Sequence, residues 1–239
     1  MSNSYFQFKQ FTIHQENCAM KVCTDACLFG AWVADKLAND KKEFDAILDI
    51  GTGSGLLSLL LAQKLPGKID AIELDEMAAE QAAQNMEASP WKNRLQVIYG
   101  DARTVHLGRK YDLIVSNPPF FENDLKSNDT KRNLALHCEA LSLEELLIVI
   151  TKHLLPEGKF SVLLPYHRSN FFTNFALEQG FFLEEEGWVK QSVEHDYFRV
   201  MLLFGQRFKE TVNETMFIRN GNDYSSRFIH LLKDYYLKL

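Results

Sequence analysis

The 239-residue chain has only four cysteines, Cys18, Cys23, Cys27 and Cys138, and no N-terminal apolar stretch with a basic flank. Nothing therefore suggests a secreted, disulfide-built scaffold, and buried thiols of a reducing compartment are expected. His14 precedes Cys18 by four residues, but C-x4-C-x3-C is not the paired knuckle that zinc sites use, so no metal site is expected. No apolar run approaches the length needed to cross a bilayer; Leu56 to Ala62 is the type found here. A soluble, cytoplasmic protein is the expectation. The chain also lacks a basic excess: its formal net charge is −6, which argues against indiscriminate coating of nucleic acid but leaves local grip on a structured RNA open. Residues 199–239 are locally basic, with Arg199, Arg207, Lys209, Arg219, Arg227, Lys233 and Lys238 against four acids, a surplus that reads as a solvated face.

Against these absences stands a clear alternation. The runs at 44–50, 68–74, 94–100, 111–116 and 159–165 read as strands, and Leu56 to Lys64, Asp75 to Ala88 and Leu143 to Leu154 carry helical periodicity. Strict alternation predicts an α/β chain with a doubly wound parallel sheet. Two closely joined runs at 181–191 and 197–204 predict an antiparallel pair at the sheet edge. Residues 5–15 alternate like a hairpin, and Thr24 to Leu37 fits a helix capped by Thr24 or Asp25. The last thirty residues predict a strand, a turn at Asn220-Gly221-Asn222 and an amphipathic helix capped near Tyr224-Ser225. With no linker or repeat, one domain over 1–239 is expected: an N-terminal segment (1–43), a catalytic core (44–208) and a C-terminal extension (209–239).

The first strand run ends in Asp49 and opens Gly51-Thr52-Gly53-Ser54-Gly55 ahead of a helix. Glycines permit a tight turn and close ligand approach, and a helix N-terminus offers free N–H groups. The G-x-G-x-G spacing is not the G-x-G-x-x-G of dinucleotide folds, and no Walker lysine follows. Glu73 ends the second strand, placed to accept from both hydroxyls of a ribose. Asp101, backed by Ala102, follows the third and is placed to meet an adenine amino group. Three acids around one glycine loop suit a nucleoside without phosphates, and S-adenosylmethionine has that composition. Singly, each carboxylate has an equally good reading as a cap or a solvated strand end.

Ser116-Asn117-Pro118-Pro119-Phe120-Phe121 ends the fourth core run. Proline stops a central strand, and the bland reading is a strand break with core phenylalanines. At the ligand-binding edge of a doubly wound sheet another reading is favoured. The Asn117 side-chain oxygen and the Pro118 carbonyl would accept the two hydrogens of a planar amine, while Phe120 stacks on the base and Phe121 supports it. The long polar segment after it carries Lys126, Lys131 and Arg132, candidates for phosphate contact, and His137, which reads as a surface histidine.

"ILDIGTGSGLLSLLLA", "IELD", "GDA" and "SNPPF" resemble the class I S-adenosylmethionine-dependent methyltransferases that act on planar amino groups. "FKQFTIHQENCAMKVCTDACLFGAW" (8–32), "SPWKNRLQV" (89–97) and "YSSRFIHLLKDYYLKL" resemble the bacterial family that methylates N6 of adenine-37 in valine tRNA, so the likeness covers nearly the whole chain. It implies a seven-stranded Rossmann-like sheet with the last strand antiparallel, a tRNA anticodon loop as partner, and Lys21 and Thr24 lining the cofactor cavity. Cys23 and Cys27 depart from the small residues expected there. Other amine methyltransferases share Asn-Pro-Pro-aromatic, acting on release-factor glutamine or guanine N2 of ribosomal RNA. The former usually carry a helical domain before the glycine loop, whereas only about 45 residues precede the first core strand here and they resemble the tRNA family instead. An NAD-binding oxidoreductase or a silent nucleotide-binding module fits neither the glycine spacing nor the Asn-Pro-Pro-Phe stretch.

Overall fold

The computed structural model describes residues 3–38, 40, 42–119 and 141–239. The N-terminal segment folds as an antiparallel hairpin, β1 (Tyr5–Gln7) and β2 (Thr12–His14), followed by helix α1 (Thr24–Ala38). The core then alternates: β3 (Ala46–Ile50), α2 (Leu56–Ala62), β4 (Lys68–Glu73), α3 (Glu76–Glu87), β5 (Leu95–Tyr99) and β6 (Tyr111–Ser116). After residue 140 come α4 (Leu143–His153), β7 (Leu154–Pro165), α5 (Ser169–Glu178), β8 (Phe182–Lys190) and β9 (Tyr197–Gly205). The chain closes with β10 (Val212–Phe217), a two-residue hairpin, β11 (Arg219–Asn220) and β12 (Asp223–Tyr224), and helix α6 (Ser226–Leu232).

Local chemistry sets these boundaries. Asp75 caps α3 by accepting from Ala78 N–H at 2.8 Å, and Ser142 with Glu145 makes a reciprocal capping box at the start of α4. Ser225 caps α6, and Gly221 takes the left-handed conformation the last hairpin needs. One boundary differs from expectation. Strand β7 begins five residues early, because Leu154 already pairs with Tyr111 before a register shift at Leu113, and α4 stops at His153 accordingly.

The sheet order is β10-β8-β9-β7-β6-β3-β4-β5. Strands β3 to β7 are mutually parallel, and β9 runs antiparallel to both β7 and β8. The expected seven strands become eight, because β10 of the C-terminal extension adds a parallel strand outside β8. The β8–β9 pair is antiparallel as expected but does not form the edge. Alternate residues of each central strand feed separate cores. Ile47, Leu113, Val115, Leu163 and Met201 face α1, α2 and α6; Leu48, Ile114, Val162, Leu164 and Leu202 face α4 and α5. This two-sided burial is why the strands read as unbroken apolar runs. Among the described residues no helix is long and apolar enough to cross a membrane.

From β3 the chain moves outward through β4 to β5, then returns to the other side of β3 as β6. The reversal leaves a crevice between the C-terminal ends of β3 and β6, the place where open α/β sheets bind ligands.

Candidate active site

The crevice is bordered by the two stretches singled out from sequence. Ile50 pairs in register with Ser116, and Ser116 Oγ donates to the Ile50 carbonyl at 2.8 Å, which ties the start of the glycine loop to the residue before Asn117. Gly51, Gly53 and Gly55 all have positive φ, at 72°, 56° and 84°. A Cβ on Gly51 or Gly53 would meet nothing within 4 Å, so there glycine serves the backbone conformation and leaves open space above the loop. The Gly51 and Thr52 N–H groups both donate to the Ile72 carbonyl.

Asp49 is fully buried. Its Oδ2 accepts from Thr52 Oγ1 (2.7 Å), Ser58 Oγ (2.8 Å) and Ser58 N–H (3.2 Å), whereas Oδ1 has no partner among the described residues. Burial pushes its carboxyl up to about 6, against the lowering effect of these hydrogen bonds and with a smaller push from Glu73. Glu73, half-buried at the end of β4, is held by three backbone donors. Gly53 N–H reaches Oε2 at 2.8 Å, and Leu74 and Asp75 N–H reach Oε1 at 2.9 and 3.0 Å.

Asp101 lies past β5, but its carboxylate is already engaged. The Arg103 guanidinium donates through Nε to both oxygens at 2.9 Å and through Nη2 to Oδ2 at 2.6 Å, and the Arg103 N–H adds a fourth bond. The same guanidinium reaches Glu145 on α4. These bonds hold Asp101 below the usual carboxylate range. Ala102 behind it is buried.

Asn117 is half-buried, and its Oδ1 is buried without a hydrogen-bond partner among the described residues. A buried acceptor left unpaired costs on the order of 1–3 kcal/mol, so such atoms mark places where a ligand supplies the missing donor. Pro118 is buried and Pro119 exposed. Phe120, Phe121, Lys126, Lys131, Arg132, His137 and Cys138 lie outside the described residues.

The N-terminal segment reaches the same neighbourhood by a route not visible in its own sequence. Asn85, 1% exposed on α3, accepts from the His14 N–H (2.9 Å) and donates to the His14 carbonyl (2.8 Å) and the Ser54 carbonyl (2.9 Å). One side chain thus clasps the β1–β2 hairpin to the glycine loop. Its signal in the sequence is a polar residue on the apolar stripe of α3, in line with the buried Ala78 and Ala82. Beyond the hairpin, Lys21 Nζ donates to the Gln15 carbonyl, and the buried Cys18 thiol feels Lys21, Glu73 and Asp75. Burial raises that thiol to about 11, so it is inert. Thr24 is the exposed first residue of α1 and shares no hydrogen bond with the glycine loop among the described residues. The adjacent Asp25 accepts from Arg199 Nε of β9 at 2.9 Å.

The crevice therefore combines an open glycine loop, a fixed carboxylate at the end of β4 and two unpaired buried acceptors on adjacent strand ends. Such a site suits a ligand with several N–H or O–H donors and no phosphate. Residues 27–166 match the family model described as the methyltransferase small domain. A tRNA1(Val) (adenine(37)-N6)-methyltransferase of Dyadobacter fermentans is 40% identical over 99% of this chain and 98% of its own. The enzyme of the same description from Pseudoalteromonas translucida is 38% identical over 99% of this chain and all of its own. Among solved structures, a predicted O-methyltransferase from Agrobacterium tumefaciens superposes with a TM-score of 0.65 at 15% identity, covering 88% of this chain and 96% of that one. A glycopeptide N-methyltransferase solved with S-adenosylmethionine gives 0.52 at 12% identity, over 73% and 93%. Both share the fold.

Proposed function

Because the chain belongs to the tRNA1(Val) (adenine(37)-N6)-methyltransferase family, we propose that it methylates N6 of adenine-37 in valine tRNA at the expense of S-adenosylmethionine. The observation that carries the reading is the unpaired, buried Asn117 Oδ1 at the end of β6, across the crevice from the glycine loop.

The residues present fit the methyl donor. Gly51 and Gly53 leave space above the loop, Glu73 is fixed where a ribose diol needs an acceptor, and Asp49 keeps one oxygen without a partner beneath the loop. Bound S-adenosylmethionine supplies an electrophilic methyl group on a sulfonium sulfur. An exocyclic adenine amine is a weak nucleophile, since its lone pair is delocalised into the ring. Two fixed acceptors, Asn117 Oδ1 and the Pro118 carbonyl, each accept a hydrogen bond from one amino N–H, draw the nitrogen toward tetrahedral geometry and favour positive charge developing on it. The two prolines restrict the backbone that carries this carbonyl, and Pro119 contributes no competing N–H. Holding the amine in line with the methyl group supplies the rest of the rate. Lys21 and Thr24 complete the donor site from the N-terminal segment, which Asn85 secures to the loop.

The test uses isotopically labelled S-adenosylmethionine with unmodified valine tRNA and with the same tRNA lacking adenine-37. Label in the first alone is expected. Equal label in both overturns the position, and label in neither overturns RNA as substrate.

A further inference from the structure

Across β7 from Asn117, the same sheet edge carries a cluster that the methyl-transfer site does not use. Strands β6, β7 and β8 run in one direction and β9 runs in the other, so the C-terminal ends of β7 and β8 and the start of β9 meet at the crevice edge. There the Tyr166 and Tyr197 rings lie 4.8 Å apart, Trp188 packs on Tyr197 at 5.9 Å, and Lys190 Nζ sits 4.7 Å from the Tyr197 centroid. One helical turn away, the Arg168 guanidinium covers Phe171 at 5.2 Å. Tyr166 is 37% exposed and Phe171 44% exposed, both large for aromatic side chains on a folded chain.

Three features select the occupant. The aromatic rings are interleaved with cations, the pattern used to stack nucleobases while holding phosphates. Lys190 sets its ammonium over the Tyr197 ring, on the aromatic cluster itself. By contrast, much of the charge of the basic C-terminal region is paired internally: Arg199 with Asp25, Arg207 with Glu157, and Arg227 with Asp35 and Glu214. Finally, Trp188 and Lys190 hold Tyr197, which in turn backs Tyr166, so the outer ring is ordered before anything binds.

We propose that Tyr166, braced by Tyr197 and flanked by Lys190, Arg168 and Phe171, is the platform on which a base neighbouring the methylated adenine stacks. This rests on the tRNA reading above, and it gives that substrate a docking surface on β7 to β9, beside the crevice.

The experiment measures binding of unmodified valine tRNA by fluorescence anisotropy, alongside calorimetric titration with S-adenosylmethionine, for wild type, Tyr166→Ala, Tyr166→Phe and Lys190→Ala. Tyr166→Ala is expected to weaken RNA binding about tenfold, with Tyr166→Phe close to wild type. Lys190→Ala is expected to lower the salt slope of binding by about one. All three variants should keep wild-type affinity for S-adenosylmethionine, which shows them folded. Unchanged RNA affinity and salt slope in Tyr166→Ala and Lys190→Ala, with wild type still labelling the tRNA, overturns the platform and leaves the enzyme reading standing. Failure of wild type to bind or label the tRNA overturns both.

Discussion

Glu73 and Asn117 stand at the ends of β4 and β6, the two strands that flank β3 on one sheet edge, and treat their oxygen atoms in opposite ways. Glu73 spends both oxygens on three backbone N–H groups, including that of Gly53. Asn117 keeps its buried Oδ1 without a partner among the described residues. The first arrangement makes the pocket rigid before a ligand arrives; the second stores an unmet demand that a reacting group satisfies. A site for group transfer needs both: fixed walls give position, and an unsatisfied acceptor gives selectivity for the state in which an amine has become acidic.

The contrast breaks most sharply at Asn117. Asn117→Ala removes an acceptor that matters as charge develops, so kcat should fall about 100- to 1,000-fold while S-adenosylmethionine affinity stays within about threefold. Single-turnover labelling and calorimetry separate the two. Loss of cofactor binding together with activity would show Asn117 to be a wall of the pocket, like Glu73. The complementary change, Glu73→Ala, strands three N–H groups and removes the proposed diol acceptor. It should weaken S-adenosylmethionine binding about 10- to 100-fold and lower Tm by a few degrees, with little effect on the rate once the site is saturated.

Asp49 is intermediate, with one oxygen held by Thr52 and Ser58 and one without a partner among the described residues. Its folded carboxyl titrates at about 6, above the ordinary range near 3.9, so the folded chain holds this proton more tightly than the unfolded chain. Stability from this group is therefore greatest at low pH, falls as pH rises from about 4 to about 6, and is flat above, a change of about 3 kcal/mol for two units. Ligand binding runs the other way, since a cationic amino-acid tail favours the ionised form. Affinity for S-adenosylmethionine should drop about tenfold from pH 7 to pH 5. Asp49→Asn should bind weakly at both values and lose the dependence. A wild-type profile as flat as that of the variant would show that the group does not sense the ligand.

Much of this edge was legible from the sequence because it is built from local rules. A strand that must end in Pro-Pro, a glycine loop after an aspartate, and acids at successive strand ends are each contiguous in the chain. What was not legible depends on pairing across long separations. The C-terminal residues read as a strand before the turn at Asn220-Gly221-Asn222, but nothing in them announces that this strand, Val212–Phe217, adds an eighth strand beside β8. The role of Asn85 needs His14 and Ser54, residues 71 and 31 positions away, and becomes visible only when α3 is packed against both. "GDAR" shows an acid after β5 but not that the arginine two residues on folds back over it.

That last point sets the smallest and most discriminating effect. The sequence places Asp101 as an acceptor for an adenine amino group, yet Arg103 already donates to both of its oxygens. With the Arg103 backbone N–H included, three N–H groups engage the carboxylate, the Nε–H being shared between both oxygens, and about four lone-pair sites leave room for one further donor. In that case Arg103 orients Asp101, much as backbone N–H groups orient Glu73. Arg103→Ala should then weaken S-adenosylmethionine binding about threefold, because the carboxylate loses its orientation but not its capacity. Asp101→Ala should weaken it about tenfold, and the double variant should match Asp101→Ala rather than add to it, since the arginine acts only through the acid. If instead Arg103→Ala tightens binding, the guanidinium is a competitor that the ligand displaces, and the β5 end belongs with Asn117, among the groups that wait, rather than with Glu73.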